Sequence, residues 1–111
     1  MIKNIVAGDS KYIKLEILHN GNPLDISGST VFFSLKSDTE LLDLNANLKK
    51  VVTTHLDSTL GKTVIELTHD DTKTLNAGTY YYDIRLKDAS GNVLTIQRGK
   101  IDIIKPITND L

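Results

Sequence analysis

Hydrophobic and polar residues alternate with a period of two along most of the chain, which predicts β-strands rather than helices. In the segment 30–36, Val31, Phe33 and Leu35 are expected to face a core, whereas the aromatic Phe32 is expected to face outward. Strands are predicted at 2–7, 11–18, 30–36, 51–55, 62–67 and 80–87, followed by a return strand that begins at Asn92. The pattern therefore predicts an all-β fold.

Turn signals separate these segments. Asn20-Gly21 supplies the positive φ angles of a tight turn, and the segments 25–28, 57–61 and 88–91 combine Asp, Ser and Gly in the manner of turns. About seven short strands with such spacing indicate two packed antiparallel sheets with Greek-key connections. We therefore expect an immunoglobulin-like β-sandwich.

The last strand changes phase along its length. Leu94 and Ile96 occupy even positions, whereas Ile101 and Ile103 occupy odd ones, so one extra residue must be absorbed between them. Glycine favours such irregularities, and the sequence therefore predicts a β-bulge at Gly99.

Two segments depart from the strand pattern. The leucines of 37–50 recur at spacings closer to those of a helix, and no element is assigned there. Thr68 precedes Asp71 by three residues, which is the spacing of a helix N-terminal cap, so a helical turn is predicted over 70–75.

The motif Leu75-x-x-Gly78-x-Tyr80 has the form of a tyrosine corner. In such a corner, the hydroxyl group of a Tyr near the start of the sixth strand bonds to the backbone of the preceding loop. Gly78 and Tyr80 are the structural candidates here, and the alternative is a Tyr buried without this bond.

Composition limits the class of protein. The 111 residues, 40% of them hydrophobic, suit one domain, expected at 1–105, with a tail at 106–111 after Pro106. Thirteen basic and 14 acidic residues give a net charge of −1, so neither nucleic acid nor a membrane is an expected partner. The absence of cysteine excludes disulfides and thiolate sites, and fits folding in a reducing cytoplasm.

Catalytic groups do not form a recognisable set. His19, His55 and His69 stand in no catalytic motif, and the seven glycines are dispersed rather than gathered in a phosphate-binding loop. His69-Asp70-Asp71 contains three adjacent potential metal ligands, but adjacent side chains diverge at a helix start, so capping is the preferred interpretation. No catalytic, cofactor-binding or metal-binding residue is predicted, and the chain is not expected to be an enzyme.

Phe32 and Tyr81 are the candidate interface residues. In an immunoglobulin-like topology their strands are neighbours, so both aromatic side chains are expected on one exposed sheet face. Exposed aromatic patches are typical of protein interfaces. The alternative is that the segment 37–50 or the tail covers them. Tyr81 with Arg85 and Lys87 also resembles a single-stranded nucleic-acid platform, but a solvated strand face is preferred because the net charge gives no support.

Several motifs together resemble a known family, the immunoglobulin-like domains of tailed-phage virion proteins, and are similar to the N-terminal domain of the upper baseplate protein. The motifs are Gly8-Asp9, Gly21-x-Pro23-Leu24-Asp25-Ile26-Ser27-Gly28, Leu67-Thr68 with Asp71-Thr72, Leu75-x-x-Gly78-x-Tyr80 and Asp88-x-x-Gly91.

The resemblance implies a non-enzymatic virion structural protein, in the baseplate or tail or as a decoration of the capsid. It implies docking to other virion proteins or to further copies of the chain, after assembly in the host cytoplasm. The sequence ends soon after the last strand, so a receptor-binding role is not expected.

The alternative function is a carbohydrate-binding or adhesion module. Tyr12, Tyr80, Tyr81 and Tyr82 are candidates for a sugar-stacking surface, while the absence of tryptophan weighs against it.

Overall fold

A computed structural model describes residues 4–37 and 47–108, and most of the regular structure in these ranges is β. The strands are β1 (Asn4–Val6), β2 (Lys11–Glu16), β3 (Leu18–His19), β4 (Asn22–Pro23), β5 (Thr30–Lys36), β6 (Leu48–Val52), β7 (Lys62–Leu67), β8 (Gly78–Lys87) and β9 (Val93–Ile104). A 3₁₀ turn (Ser58–Leu60) precedes β7, and a single helical turn, α1 (His69–Thr72), follows β7.

The strands form two layers. A five-stranded sheet has the order β1-β9-β8-β5-β6, in which β1 runs parallel to β9 and the other pairs are antiparallel. The antiparallel pair β2-β7 forms the second layer, and β3-β4 is a small separate hairpin. The chain passes repeatedly between the layers, as in immunoglobulin-like sandwiches. The predicted all-β fold is confirmed. The described residues form nine strands rather than about seven, and the larger sheet is not wholly antiparallel because β1 pairs with β9 in parallel.

One hydrophobic core lies between the layers. Val31, Phe33 and Leu35 of β5 are fully buried, as the alternation predicts, and the Phe33 and Tyr82 rings lie 6.1 Å apart. Side chains from both β7 and β8 belong to the same buried cluster. Burial of alternate residues from both layers therefore fixes which side of each strand faces outward.

The predicted turn after β2 is confirmed in detail. Asn20 and Gly21 have φ angles of 52° and 82°, which is the left-handed pair that a two-residue hairpin needs. Their hairpin joins β3 to β4, and Pro23 lies at its exposed end.

The predicted fourth strand was misplaced. Val51–His55 was expected from its β-branched residues, but β6 runs over Leu48–Val52. Leu48 lies opposite Leu35 and is buried, and this core contact sets the start of the strand. His55 lies beyond the end of the strand, and its ring nitrogens bond to Thr63 and Ser29.

The predicted bulge also lies at a different residue. The register between β8 and β9 shifts at Ile84/Arg85, where Thr95 and Gln97 are paired and Ile96 is the extra residue. Gly99 is regularly paired with Tyr82, and a Cβ atom there would lie 3.4 Å from the Tyr82 ring. Gly99 therefore gives room for the ring rather than a change of phase.

The predicted N-terminal cap of α1 is confirmed. The Thr68 hydroxyl accepts from the Asp71 amide, and the Asp71 carboxylate accepts from the Thr68 amide, which completes a capping box. The helix ends at Thr72, earlier than expected, because the buried Thr72 hydroxyl bonds to the loop after β1, at Gly8 and Asp9.

Most of the segment 37–50, for which no element was predicted, lies outside the described residues. Within residues 4–37 and 47–108, none of the helical segments has the length and apolar character needed to cross a membrane.

Candidate functional site

The outer face of the five-stranded sheet is defined by the outward residues of β5, β6, β8 and β9. On β8, at its centre, the alternation directs Tyr81, Asp83 and Arg85 away from the core. The register places Phe32 opposite Arg85, and Lys36 opposite Tyr81. The two predicted interface residues therefore share one sheet face, on neighbouring strands.

Phe32 and Tyr81 do not touch each other across this face. Four residues of register separate them, which corresponds to roughly 13 Å along the strands. Both rings are half-buried rather than freely exposed. Long basic side chains explain part of this, since the Lys100 ammonium group lies 5.8 Å from the centre of the Tyr81 ring.

A groove of about 670 Å³ runs over this face. Ser34 and Asp83 lie opposite each other in its middle, between the two aromatic residues. The groove is in the range of ligand-binding clefts.

The groove is strongly basic, which sequence analysis missed. Its lining contains six basic side chains against one acidic one, a net charge of +5 on a chain whose total is −1. The remaining residues therefore carry −6 between them. The basic side chains are Lys36, Lys49, Arg85, Lys87, Arg98 and Lys100.

Most of these cations have no carboxylate partner. In the part of the chain that the structure describes, Lys49, Arg85, Lys87 and Arg98 form no ion pair. The ion pairs of described residues lie around α1 instead, such as Lys50 with Asp71 at 2.9 Å. The charges of Lys49, Arg85, Lys87 and Arg98 are thus available to an external anionic group.

The outer face of the two-stranded sheet is different. Lys14 and Lys62 are balanced there by Glu16 and Glu66, and Tyr12 is 61% exposed. Basic charge is therefore concentrated on one of the two outer faces.

On the core side, a hydrogen bond anchors β8. The Tyr80 hydroxyl donates to the Asn76 carbonyl at 2.8 Å, which is the contact that the tyrosine-corner motif predicts. Gly78 begins the strand with a φ of 150°, a conformation that favours glycine. On the same strand, the Tyr82 hydroxyl accepts a hydrogen bond from the side-chain amide of Gln97 at 2.6 Å.

The four tyrosines do not form one surface. Tyr80 and Tyr82 are buried in the core, Tyr12 lies on the two-stranded sheet, and Tyr81 lies on the opposite layer. The sugar-stacking surface considered from sequence is therefore not assembled.

The histidines are distributed over the molecule. His55 donates from Nε2 to the Ser29 carbonyl at 2.7 Å, and its Nδ1 lies 2.9 Å from the Thr63 hydroxyl. His69 donates from Nδ1 to the Gly8 carbonyl at 2.6 Å, while His19 is exposed in the hairpin. Among residues 4–37 and 47–108, no three metal-ligating side chains are grouped.

The aspartates with altered acidity hold turns and the helix cap. Hydrogen bonds from Ser27 lower the pKa of Asp25, and the Asn92 amide lowers the pKa of Asp88. The Lys73 side chain lowers the pKa of Asp70, and the Thr68 amide lowers that of Asp71. Each carboxylate is stabilised in its charged form, which suits a structural role rather than proton transfer.

No protein-family model and no curated protein matches the chain. Among solved structures, it is similar to the N-terminal domain of phage TP901-1 ORF48, with 18% sequence identity and a TM-score of 0.49. The match covers 95% of this chain and 84% of that one. A likeness at this identity concerns the fold and not the function.

Proposed function

We propose that the chain is a non-enzymatic structural component of a tailed-phage particle, located in the baseplate or tail or on the capsid. The chain docks onto other virion proteins through the outer face of its five-stranded sheet. The observation that carries this proposal is the groove on that face, with two half-buried aromatic residues and with Lys49, Arg85, Lys87 and Arg98, which form no ion pair among residues 4–37 and 47–108. The sequence motifs shared with tailed-phage virion domains support the phage setting.

Docking uses features that a rigid β-sandwich supplies well. The core and the tyrosine corner fix β5 and β8, so the side chains between Phe32 and Tyr81 are presented at set positions. A preorganised surface loses little conformational entropy when a partner binds. Aromatic and arginine side chains are frequent binding hot spots where the contacts around them exclude water.

Detection in purified particles tests this proposal. Particles from a culture induced for the genome that carries this sequence are separated on a density gradient and probed with an antibody against the chain. We expect the chain to co-migrate with particles at a fixed ratio to a major structural protein, and gold-labelled antibody to mark one location. Its recovery only from the particle-free fraction would contradict the proposal.

A further inference from the structure

We infer that the outer face of the five-stranded sheet recognises an acidic polypeptide segment whose carboxylates stand beside aromatic or aliphatic side chains. This inference rests on the proposed function and adds the chemistry of the partner. It draws on three observations: the excess of positive charge, the spacing of the two rings and the central carboxylate.

The excess of positive charge calls for an anionic partner. Arg85 and Arg98 are exposed and carry guanidinium groups without an ion pair among residues 4–37 and 47–108. Guanidinium groups bind carboxylates through paired hydrogen bonds. A segment rich in Asp and Glu therefore complements this face.

The spacing of the rings fits an extended chain. Phe32 and Tyr81 lie roughly 13 Å apart along the strands, a span that about four residues of extended polypeptide cover. Residues four apart in such a chain project on the same side. Because Arg85 lies opposite Phe32, and Lys100 lies opposite Tyr81, a basic side chain stands beside each ring and can bind a carboxylate that flanks an apolar group of the segment.

The charge distribution disfavours a symmetric pair of these faces. Two copies joined through the groove would oppose one net charge of +5 to another. A second copy could bind only through a different, acidic part of its surface.

The central carboxylate favours polypeptide over nucleic acid. Asp83 lies in the middle of the groove, between Ser34 and Arg98 on the adjacent strands. A nucleic-acid strand carries a phosphate at every nucleotide, which Asp83 would repel. A polypeptide can instead place a backbone amide beside Asp83, which donates a hydrogen bond to the carboxylate, and its own carboxylates elsewhere.

The test uses the full chain and defined probes. A fluorescently labelled Glu–Tyr copolymer is titrated with protein, and its anisotropy is followed at low salt, about 50 mM NaCl, and at higher salt. Polyglutamate and an oligo-dT of equal charge are the comparison probes. The variant Arg85→Gln/Arg98→Gln removes two charges from the groove, and Lys14→Gln/Lys62→Gln removes two from the balanced face.

We expect the Glu–Tyr copolymer to bind more tightly than either other probe, and binding to weaken with salt. The groove variant should bind it about 2- to 30-fold more weakly, and the matched control less than about 2-fold more weakly. Urea denaturation of both variants shows that the fold is retained.

Four results would overturn the inference. These are equal losses in the two variants, tighter binding of oligo-dT, no binding of the copolymer at low salt, and self-association through the groove in sedimentation velocity. The particle experiment is independent of this test. If the chain is found in particles but does not bind the copolymer, only the inference is refuted. A chain that binds the copolymer but is absent from particles refutes the proposed function.

Discussion

Gly61 lies where three segments of backbone meet, and its replacement by alanine is the most demanding test of the fold. It has a φ of 70°, and it is buried beside Ile17 and Leu24. The Ile17 amide donates to the Gly61 carbonyl at 2.8 Å, and the Leu24 amide donates to the Ile17 carbonyl at 2.9 Å. This junction holds the end of β2 and the small hairpin against the start of β7.

The structure sets the size of the effect. An alanine Cβ atom would lie 2.4 Å from the Ile17 carbonyl oxygen and 2.8 Å from the Leu24 carbonyl oxygen. Both are backbone atoms, so relief requires the segments to separate by about 1 Å, at a cost of about 1–3 kcal/mol. The left-handed conformation adds about 1–2 kcal/mol. We therefore expect Gly61→Ala to lower the free energy of unfolding by about 2–5 kcal/mol.

Gly91→Ala separates the two contributions. Gly91 also has a positive φ, 91°, but a Cβ atom there would have no neighbour within 4 Å. This variant should lose only the conformational part, about 1–2 kcal/mol.

Urea denaturation followed by circular dichroism measures both variants at constant m-value. If Gly61→Ala loses no more stability than Gly91→Ala, the close backbone contact does not constrain the native state, and the reasoning fails.

Three further predictions concern local interactions. Tyr80→Phe should lower the free energy of unfolding by about 0.5–1.5 kcal/mol in urea titrations, because the Tyr80 hydroxyl bonds to the backbone. Tyr81→Phe should change the free energy of unfolding by less than about 0.5 kcal/mol. Equal effects of the two variants would refute the stabilising role of the tyrosine corner. Thr68→Ala should cost about 1 kcal/mol through loss of the cap, and a thermal midpoint unchanged from the parent would contradict this. Backbone amides hold the pKa of Asp71 and Asp88 below 3.8 in the folded state. The free energy of unfolding should therefore fall as the pH drops from about 5 to about 2. Asp71→Asn should make this fall shallower in urea titrations, and an unchanged dependence of stability on pH would refute the prediction.

Much of the fold could be predicted because local pattern and burial agree. Thr30–Lys36 and Lys62–Leu67 have the predicted bounds, since each alternates strictly and each buries one complete face. The capping box and the Asn20-Gly21 turn follow from local hydrogen bonding and backbone freedom alone.

Where sequence and structure differ, contacts distant in sequence decide. β6 begins at Leu48 because of its place opposite Leu35, which strand propensity at Val51–His55 does not reveal. The bulge at Ile96 depends on the pairing of β8 with β9 rather than on a glycine.

The basic groove was missed for a related reason. Net charge over the chain is near zero, but alternation and register gather basic residues of four strands on one face. The bulge position matters here, because a phase change at Ile96 rather than Gly99 directs Arg98 outward, opposite Asp83.

Incorporation of variant chains into particles tests the central claim, docking through the outer face of the five-stranded sheet, most directly. Phe32→Ser/Tyr81→Ser removes both rings from this face, and Tyr12→Ser removes an exposed ring from the opposite layer. Each variant that retains the parent urea midpoint is supplied in place of the parent chain, and its amount in gradient-purified particles is measured. Hot-spot rings contribute more than about 1 kcal/mol each, so the double variant should bind its site at least about 30-fold more weakly and be depleted from particles. Tyr12→Ser should be incorporated at the parent level. Parent-level incorporation of the double variant would contradict the account.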